Sequence, residues 1–164
     1  MPPTMTPEIR ISIAQQTLTL WSGSRCTGTW PVSTALKGAG NQFGSNQTPL
    51  GQHRIRACIG AGAPLGAVFV GRRPTGEIHS RELAQRYPHR DWILTRILWL
   101  CGEEKGVNRG GNVDSQRRYI YIHGTPDTEP MGVPLSHGCV RMRNQDVTVL
   151  FDLVGPGTRV RIEP

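Results

Sequence analysis

The chain has 164 residues, among them 20 glycines and 13 prolines, with 37% hydrophobic residues and a formal charge of +7. That length supports one domain, 1–164, with a real core, and the Gly/Pro content excludes a helical bundle in favour of a mostly β, β-rich α+β protein. The charge favours anionic partners, but the basic residues are scattered and no Lys/Arg block is interleaved with aromatics, so nucleic acid is not expected.

The opening residues Met1 to Arg10 contain neither a basic n-region nor an apolar h-region, so they do not read as a signal peptide. Residues 1–7 are expected to be flexible. No run approaches the ~18 apolar residues of a membrane span. Four cysteines, at 26, 58, 101 and 139, form no C-x-x-C pair. If Met1 is the native start, the expected compartment is the reducing cytoplasm; a trimmed chain would point to the periplasm.

In chain order, Ile9, Ile11 and Ile13 alternate with polar residues, as do Leu18 and Leu20, which predicts a β-hairpin with one buried face. Thr27 to Ser33 predicts a third strand, with Cys26, Gly23 and Gly28 at its edge. Ala35 to Pro49 is a Gly/Asn/Gln/Ser-rich loop beside a groove. Arg54 to Ile59 alternates again, with Ile55, Ala57 and Ile59 on one face and Arg54, Arg56 and Cys58 on the other. Ala67 to Gly71 is a short apolar strand. Ser80 to Tyr87 predicts a short helix with Ser80 as its N-cap, stopped by Pro88. Trp92 to Cys101, the most apolar run, fits a buried strand or a helix; the stripe Leu94, Ile97, Leu98 and Cys101 favours helix. Gly102 to Gln116 is a loop, Arg118 to Ile122 a strand. Asn144 is placed as N-cap of a helix over Gln145 to Val154 with Gly155 at C′, and Arg159 to Ile162 as a closing strand.

The chemistry concentrates in residues 119–142. His123 ends a strand pattern, and Ser136-His137-Gly138-Cys139 follows a turn-rich linker. A free cysteine, with pKa near ~8.5, is only a few per cent thiolate at neutral pH and needs a base, a cation or main-chain dipoles to become a nucleophile. His123, His137 and Arg141 are candidates to lower the pKa of Cys139. Gly138 permits close backbone approach, so amides near Gly138 and Cys139 are candidates for an oxyanion hole. A zinc site from His123, His137 and Cys139 is the rival reading; the cramped His-x-Cys spacing and the lack of a fourth ligand weigh against it. Cys26, Cys58 and Cys101 read as structural.

His123-Gly124-Thr125 followed by Ser136-His137-Gly138-Cys139-Val140-Arg141-Met142 strongly resembles the L,D-transpeptidase (YkuD-type) catalytic domain. The resemblance extends to the opening hairpin, to Thr48-Pro49-Leu50-Gly51, and to the closing helix and strand; residues 72–116 match less well. It implies mixed β-sheets packed as a sandwich with a few short helices, and cysteine acyl transfer on peptidoglycan stem peptides without cofactor or metal. Carried across, Cys139 is the nucleophile, His123 the base and then acid, and the Gly124 carbonyl orients the His123 ring. His137 supports the thiolate or oxyanion, Ser136 is a wall residue, and Arg141 holds a stem carboxylate. Its bland alternative is a surface arginine over the loop.

The expected substrates are peptidoglycan stems or soluble tetrapeptide muropeptides, cut at the L-centre of residue 3 with release of D-alanine. The start of the chain favours water as acceptor, an L,D-carboxypeptidase of cytosolic muropeptide recycling. Transpeptidation to 3-3 cross-links or D-amino-acid exchange is the alternative, and a non-catalytic peptidoglycan-binding module ranks below both. The loop segment Trp92 to Gln116, with Asn108 and Arg109, is a candidate lid.

Overall fold

A computed structural model describes residues 6–164. Among them are ten strands and two short α-helices. The strands are β1 (Pro7–Ser12), β2 (Thr17–Ser22), β3 (Arg25–Pro31), β4 (Gly51–Ile59), β5 (Ala67–Val70), β6 (Arg73–Ile78), β7 (Ile93–Gly102), β8 (Tyr121–Thr125), β9 (Val140–Arg143) and β10 (Arg159–Glu163). Helix α1 (Arg81–Arg86) precedes β7, and α2 (Asn144–Leu153) follows β9. Residues 1–5 of the segment expected to be flexible lie outside the described residues; Pro7 is already in β1.

Alternation in β1 and β2 builds the first hairpin, pairing Ile9 with Leu20 and Ile11 with Leu18 on the buried face. The sheet then runs β3-β2-β1-β10-β4-β7-β5-β6, with β8 branching off β7 and β9 off β8. It is mixed: β1/β10 and β8/β9 are parallel, and the other pairings are antiparallel. The layers expected of a sandwich belong to this one sheet, which curls until β1, β2 and β10 share a core with β7, β8, β9 and α2. Ile11, Leu18, Leu98, Ile122, Met142, Leu150 and Ile162 meet there, each buried. A smaller cluster, Ala67, Phe69, Ile97 and Tyr121, fills the other side of β7 behind Cys139.

β7 corrects the helix expectation for Trp92 to Cys101. It pairs with β4, β5 and β8, and Leu94 to Leu98 are consecutively buried. A strand covered on both faces has no polar side, so its sequence carries no period of two. Between Leu94 and Ile97 the register slips and Thr95 takes φ 74°, a left-handed conformation that costs a β-branched residue about 1–3 kcal/mol. Two hydrogen bonds hold it there: the Gly66 amide donates to Thr95 Oγ1 at 3.0 Å, and Oγ1 donates to Asn144 Oδ1 at 2.6 Å.

Four further expectations shift. A bulge between Ile55 and Ala57 breaks the alternation of β4, so Cys58 joins Ile55 in the main core while Ile59 packs on the other cluster. β8 begins at Tyr121 rather than Arg118, because Tyr119 (φ 55°) closes a turn first. Asn144 does not cap α2 with its side chain, which is spent on Thr95 and Asp127. The strand β6 went unread, its Arg-Pro-Thr-Gly-Glu-Ile sequence being exposed and turn-like. Ser80 does cap α1, accepting from the Leu83 amide at 3.0 Å.

A wholly buried histidine ties β4 to the loop after β7. His53 Nδ1 lies 3.0 Å from the Gly51 carbonyl and Nε2 2.8 Å from Ser115 Oγ. Burial pulls its pKa down from 6.5 to about 4, against the raising effects of the Gly51 carbonyl and Glu104. The unfolded chain therefore binds the extra proton between those values, so the contribution is complete above pH 6.5 and is lost as pH falls towards 4. The loss should reach roughly 3 kcal/mol from this one group. Urea unfolding at neutral pH and near pH 4 should show that fall in the wild type and a much smaller one in His53→Gln; equal falls would contradict it.

Candidate active site

The parallel pairing of β8 with β9 sets His123 in register with Arg141. Cys139 lies one residue before β9, against the start of β8. The Tyr121 amide donates to its sulfur at 3.3 Å, and the thiol donates to the Tyr119 carbonyl at 3.3 Å. His123 is buried, and its Nδ1–H donates to the Gly124 carbonyl at 2.6 Å. A carbonyl accepts only, so this contact fixes the tautomer and leaves Nε2 as the ring's free acceptor. Gly124 sits where no side chain fits: a Cβ would come within 2.6 Å of the Leu94 carbonyl oxygen.

Two buried hydroxyls shape the turn before the cysteine. Ser136 Oγ accepts from the Gly138 amide at 3.2 Å and donates to the Cys139 carbonyl at 2.6 Å. Thr48 Oγ1 accepts from the Ala35 amide at 3.0 Å and donates to the Gly138 carbonyl at 2.9 Å. Both peptide carbonyls flanking the thiol are thereby pinned. Ser136 is a buried bracket, more than the wall residue foreseen, and it occupies the Gly138 amide. Gly138 itself adopts φ 131°, which a side chain would resist, and a Cβ there would press on the Gln47 carbonyl at 3.3 Å.

These residues line one cleft of about 530 Å³ that contains Cys139, His123, Ser136, His137 and Arg141. The cysteine, both histidines, the serine and the arginine of the motif thus come together. The site also draws on residues the sequence did not flag: Asp91, Arg118, Arg72, Tyr119 and Tyr121. Asp91, in the turn between α1 and β7, stands 3.5 Å from Arg141 and 3.8 Å from His137 Nδ1. Arg141 also faces Glu129 at 3.8 Å. Arg118 donates to the Gly40 carbonyl, Ser45 Oγ and the Gln47 carbonyl, tying down the loop below the cleft. Arg72 bonds the Tyr121 hydroxyl at 3.0 Å and lies over the rings of Trp99 and Tyr119.

The expectation of a thiol activated at rest is corrected by its surroundings. Burial pushes the Cys139 thiol up to about 12, with Asp91 adding to the rise, and this outweighs the Tyr121 amide, Arg141 and Arg118. Burial also lowers the His123 pKa, partly offset by the Gly124 carbonyl and Asp91. Both shifts favour an uncharged thiol–imidazole pair. Such a pair calls for proton transfer concerted with attack rather than a preformed thiolate.

Other expectations move out of the site. Asn108 is buried and structural, its Nδ2 donating to the carbonyls of Leu50 and Gln52 at 3.1 and 3.0 Å. Arg109 borders a separate hollow with Arg54 and Asp114. Segment 92–116 is mostly β7 and the loop after it, and its Ile93 lines the cleft. Among the described residues, no three His, Cys, Asp or Glu side chains are grouped to hold a metal ion, so the zinc reading has no donor set. No helix among them is long and apolar enough to cross a membrane.

Comparison with known proteins agrees with this architecture. A family profile described as the L,D-transpeptidase catalytic domain, YkuD, matches residues 6–162. The putative L,D-transpeptidase YkuD of Bacillus subtilis (strain 168) is 26% identical over 98% of this chain and 68% of its own length. The probable L,D-transpeptidase YbiS of Escherichia coli (strain K12) is 50% identical over 44 residues, 27% of this chain and only 14% of that protein. Among solved structures, an L,D-transpeptidase from Mycobacterium smegmatis superposes with TM-score 0.55 at 17% identity, over 97% of this chain and 59% of that one. L,D-transpeptidase 3 from Mycobacterium tuberculosis, solved with a faropenem-derived adduct, gives TM-score 0.58 at 16% identity, over 96% and 61%. At such identities these two bear on the fold alone, and the chain spans about three fifths of each. The profile match runs through nearly the whole chain, and the chain belongs to the YkuD family of L,D-transpeptidase catalytic domains.

Proposed function

We propose that the protein is a cysteine acyltransferase that cleaves peptidoglycan tetrapeptide stems after their third residue, with water as its main acceptor. One observation carries this reading: a thiol and a tautomer-fixed histidine share one open cleft, with the histidine's Nε2 free. In the first half-reaction Cys139 Sγ attacks the carbonyl at the L-centre of residue 3 while its proton passes to His123 Nε2. The tetrahedral oxyanion is met by the Cys139 main-chain amide, the Gly138 amide being held by Ser136 Oγ. The C–N bond to D-alanine then breaks, His123 returns the proton to the departing amine, and a thioester remains. Water attacks that thioester, giving its proton to His123. The thiolate leaves and recovers the proton, releasing a tripeptide.

Water is favoured because Cys139 is partly exposed in an open cleft. The matching physiological role is trimming of soluble muropeptides in the cytosol. A second reading, attack by an amine to give 3-3 cross-links or D-amino-acid exchange, is favoured by a second hollow beside the cleft, lined in common by Asp91, His137 and Arg141. Arg141, only 11% exposed and already facing two carboxylates, is a constrained binder of a substrate carboxylate rather than a free one.

Incubation with a tetrapeptide muropeptide, with and without an amine acceptor, separates the readings by product mass. Tripeptide alone supports hydrolysis; a dimer or amino-acid adduct supports transfer; no product with either contradicts catalysis. Cys139→Ala should lower D-alanine release by at least about a thousandfold, and His123→Ala by about a hundredfold or more. Near-normal rates in His123→Ala would move the base role to His137. Because His123 acts as the neutral base and its pKa is lowered from 6.5, kcat/KM should be flat around pH 7 to 8 and decline only below pH 6.5. A decline beginning above pH 7 would contradict that assignment.

A further inference from the structure

β7 carries extra residues directly opposite the histidine of the site. Leu94 opposes Gly124 and Ile97 opposes His123, so Thr95 and Arg96 stand as a bulge against one peptide of β8. Thr95 is wholly buried, in a left-handed conformation. Its Oγ1 accepts from the Gly66 amide at 3.0 Å and donates to Asn144 Oδ1 at 2.6 Å, while Arg96 Nη1 donates to its carbonyl at 2.7 Å. Arg96, only 8% exposed, also holds the Ala63 carbonyl at 2.8 Å. A β-branched residue persists at such a φ only where its surroundings over-determine it, and such strain gathers at functional sites. Asn144, the first residue of α2, is buried too, and its Nδ2 donates to Asp127 Oδ1 at 3.3 Å.

These groups close on Gly124. A Cβ there would run into Asn144 Oδ1 and lie 3.1 Å from Thr95 Cβ, so the bare Cα of the glycine is what lets both side chains come up against this peptide. The Gly124 carbonyl is in turn the acceptor that fixes the Nδ1–H tautomer of His123. A neutral imidazole keeps its proton on the nitrogen that has the better acceptor. A tilted Gly124 peptide would release Nδ1 and let Nε2 carry the proton instead. Asn144 also borders a hollow of about 380 Å³ with Gly66, Leu94 and Asp127. With open space beside it, hydrogen bonds rather than close packing must hold its amide against Gly124. We propose that Thr95 and Asn144 are positioning residues: they hold the Gly124 peptide, and through its carbonyl they keep His123 Nε2 free to take the proton of Cys139. The inference rests on the acyl-transfer reading above and deepens it.

The test removes the Thr95 hydroxyl at nearly constant volume in Thr95→Val, keeps it in Thr95→Ser, and removes the amide in Asn144→Ala. The His123 tautomer is read from the NMR shifts of its two ring nitrogens in the resting enzyme at neutral pH. The kcat and KM for D-alanine release from a tetrapeptide muropeptide are measured alongside, per folded molecule. Thr95→Val and Asn144→Ala should each show a mixture of tautomers and lose about tenfold or more in kcat, with KM within about twofold of wild type. Thr95→Ser should keep the wild-type tautomer and stay within about threefold of its kcat. Asn144→Ala reports from a different element should Thr95→Val fail to fold. A merely structural role would lower the urea midpoint yet leave tautomer and kcat unchanged, and that result in the folded variants overturns the proposal. Tautomer mixing in Thr95→Ser equal to that in Thr95→Val would overturn it as well. The tautomer is read without turnover, so a wild type that holds Nδ1–H but releases no D-alanine would overturn the acyl-transfer reading and not the positioning.

Discussion

Everything at the site depends on the parallel pairing of β8 with β9. Parallel neighbours need a crossover, and residues 126–139 supply it as a loop that returns the chain beside the strand it left. The loop delivers Cys139 to the start of β8 just as the strand delivers His123, so the backbone ladder does the aligning. The thiol is then held by main-chain groups of β8, and the imidazole by the carbonyl of its own neighbour. Neither needs a third side chain. Where a histidine in other catalytic sites is oriented by a carboxylate, a peptide carbonyl does that here without adding a buried charge.

That choice has an electrostatic consequence. With no carboxylate on Nδ1, the imidazole stays neutral under its burial, and the thiol has no imidazolium to stabilise its anion. Desolvation is the largest influence on both groups and favours their neutral forms. Asp91 makes thiol ionisation harder while easing protonation of His123. The polar brackets around the cysteine turn, Ser136 and Thr48, fix main-chain direction, which is what an oxyanion site requires of its scaffold.

Much of this was legible in the sequence, and unevenly. The hairpin β1/β2 and strand β10 each have one wet face, so alternation marks them. Ser80 caps α1 because a serine hydroxyl before a short helix satisfies an orphan amide. The motif around Cys139 named the nucleophile, base and arginine candidates before any geometry, and Thr48 was part of the matched Thr-Pro-Leu-Gly stretch. β7 was illegible because burial on both faces erases periodicity. The start of β8 was hidden by a left-handed tyrosine, and the face switch in β4 by a bulge. Asp91 carries no local signal at all: it becomes part of the site only because the turn after α1 folds over β9. The motif shows only the groups that lower the thiol's pKa, since burial is a property of the assembled cluster behind β7 and not of the neighbours in the motif.

The central claim is that acyl transfer passes through a thioester on Cys139. Rapid acid quench of the enzyme during turnover of a tetrapeptide muropeptide, followed by intact-mass and peptide mapping, tests it most directly. The account predicts a mass increase equal to the tripeptide acyl group, located on Cys139. Turnover with no such adduct at any quench time, or an adduct mapped to another residue, would contradict it.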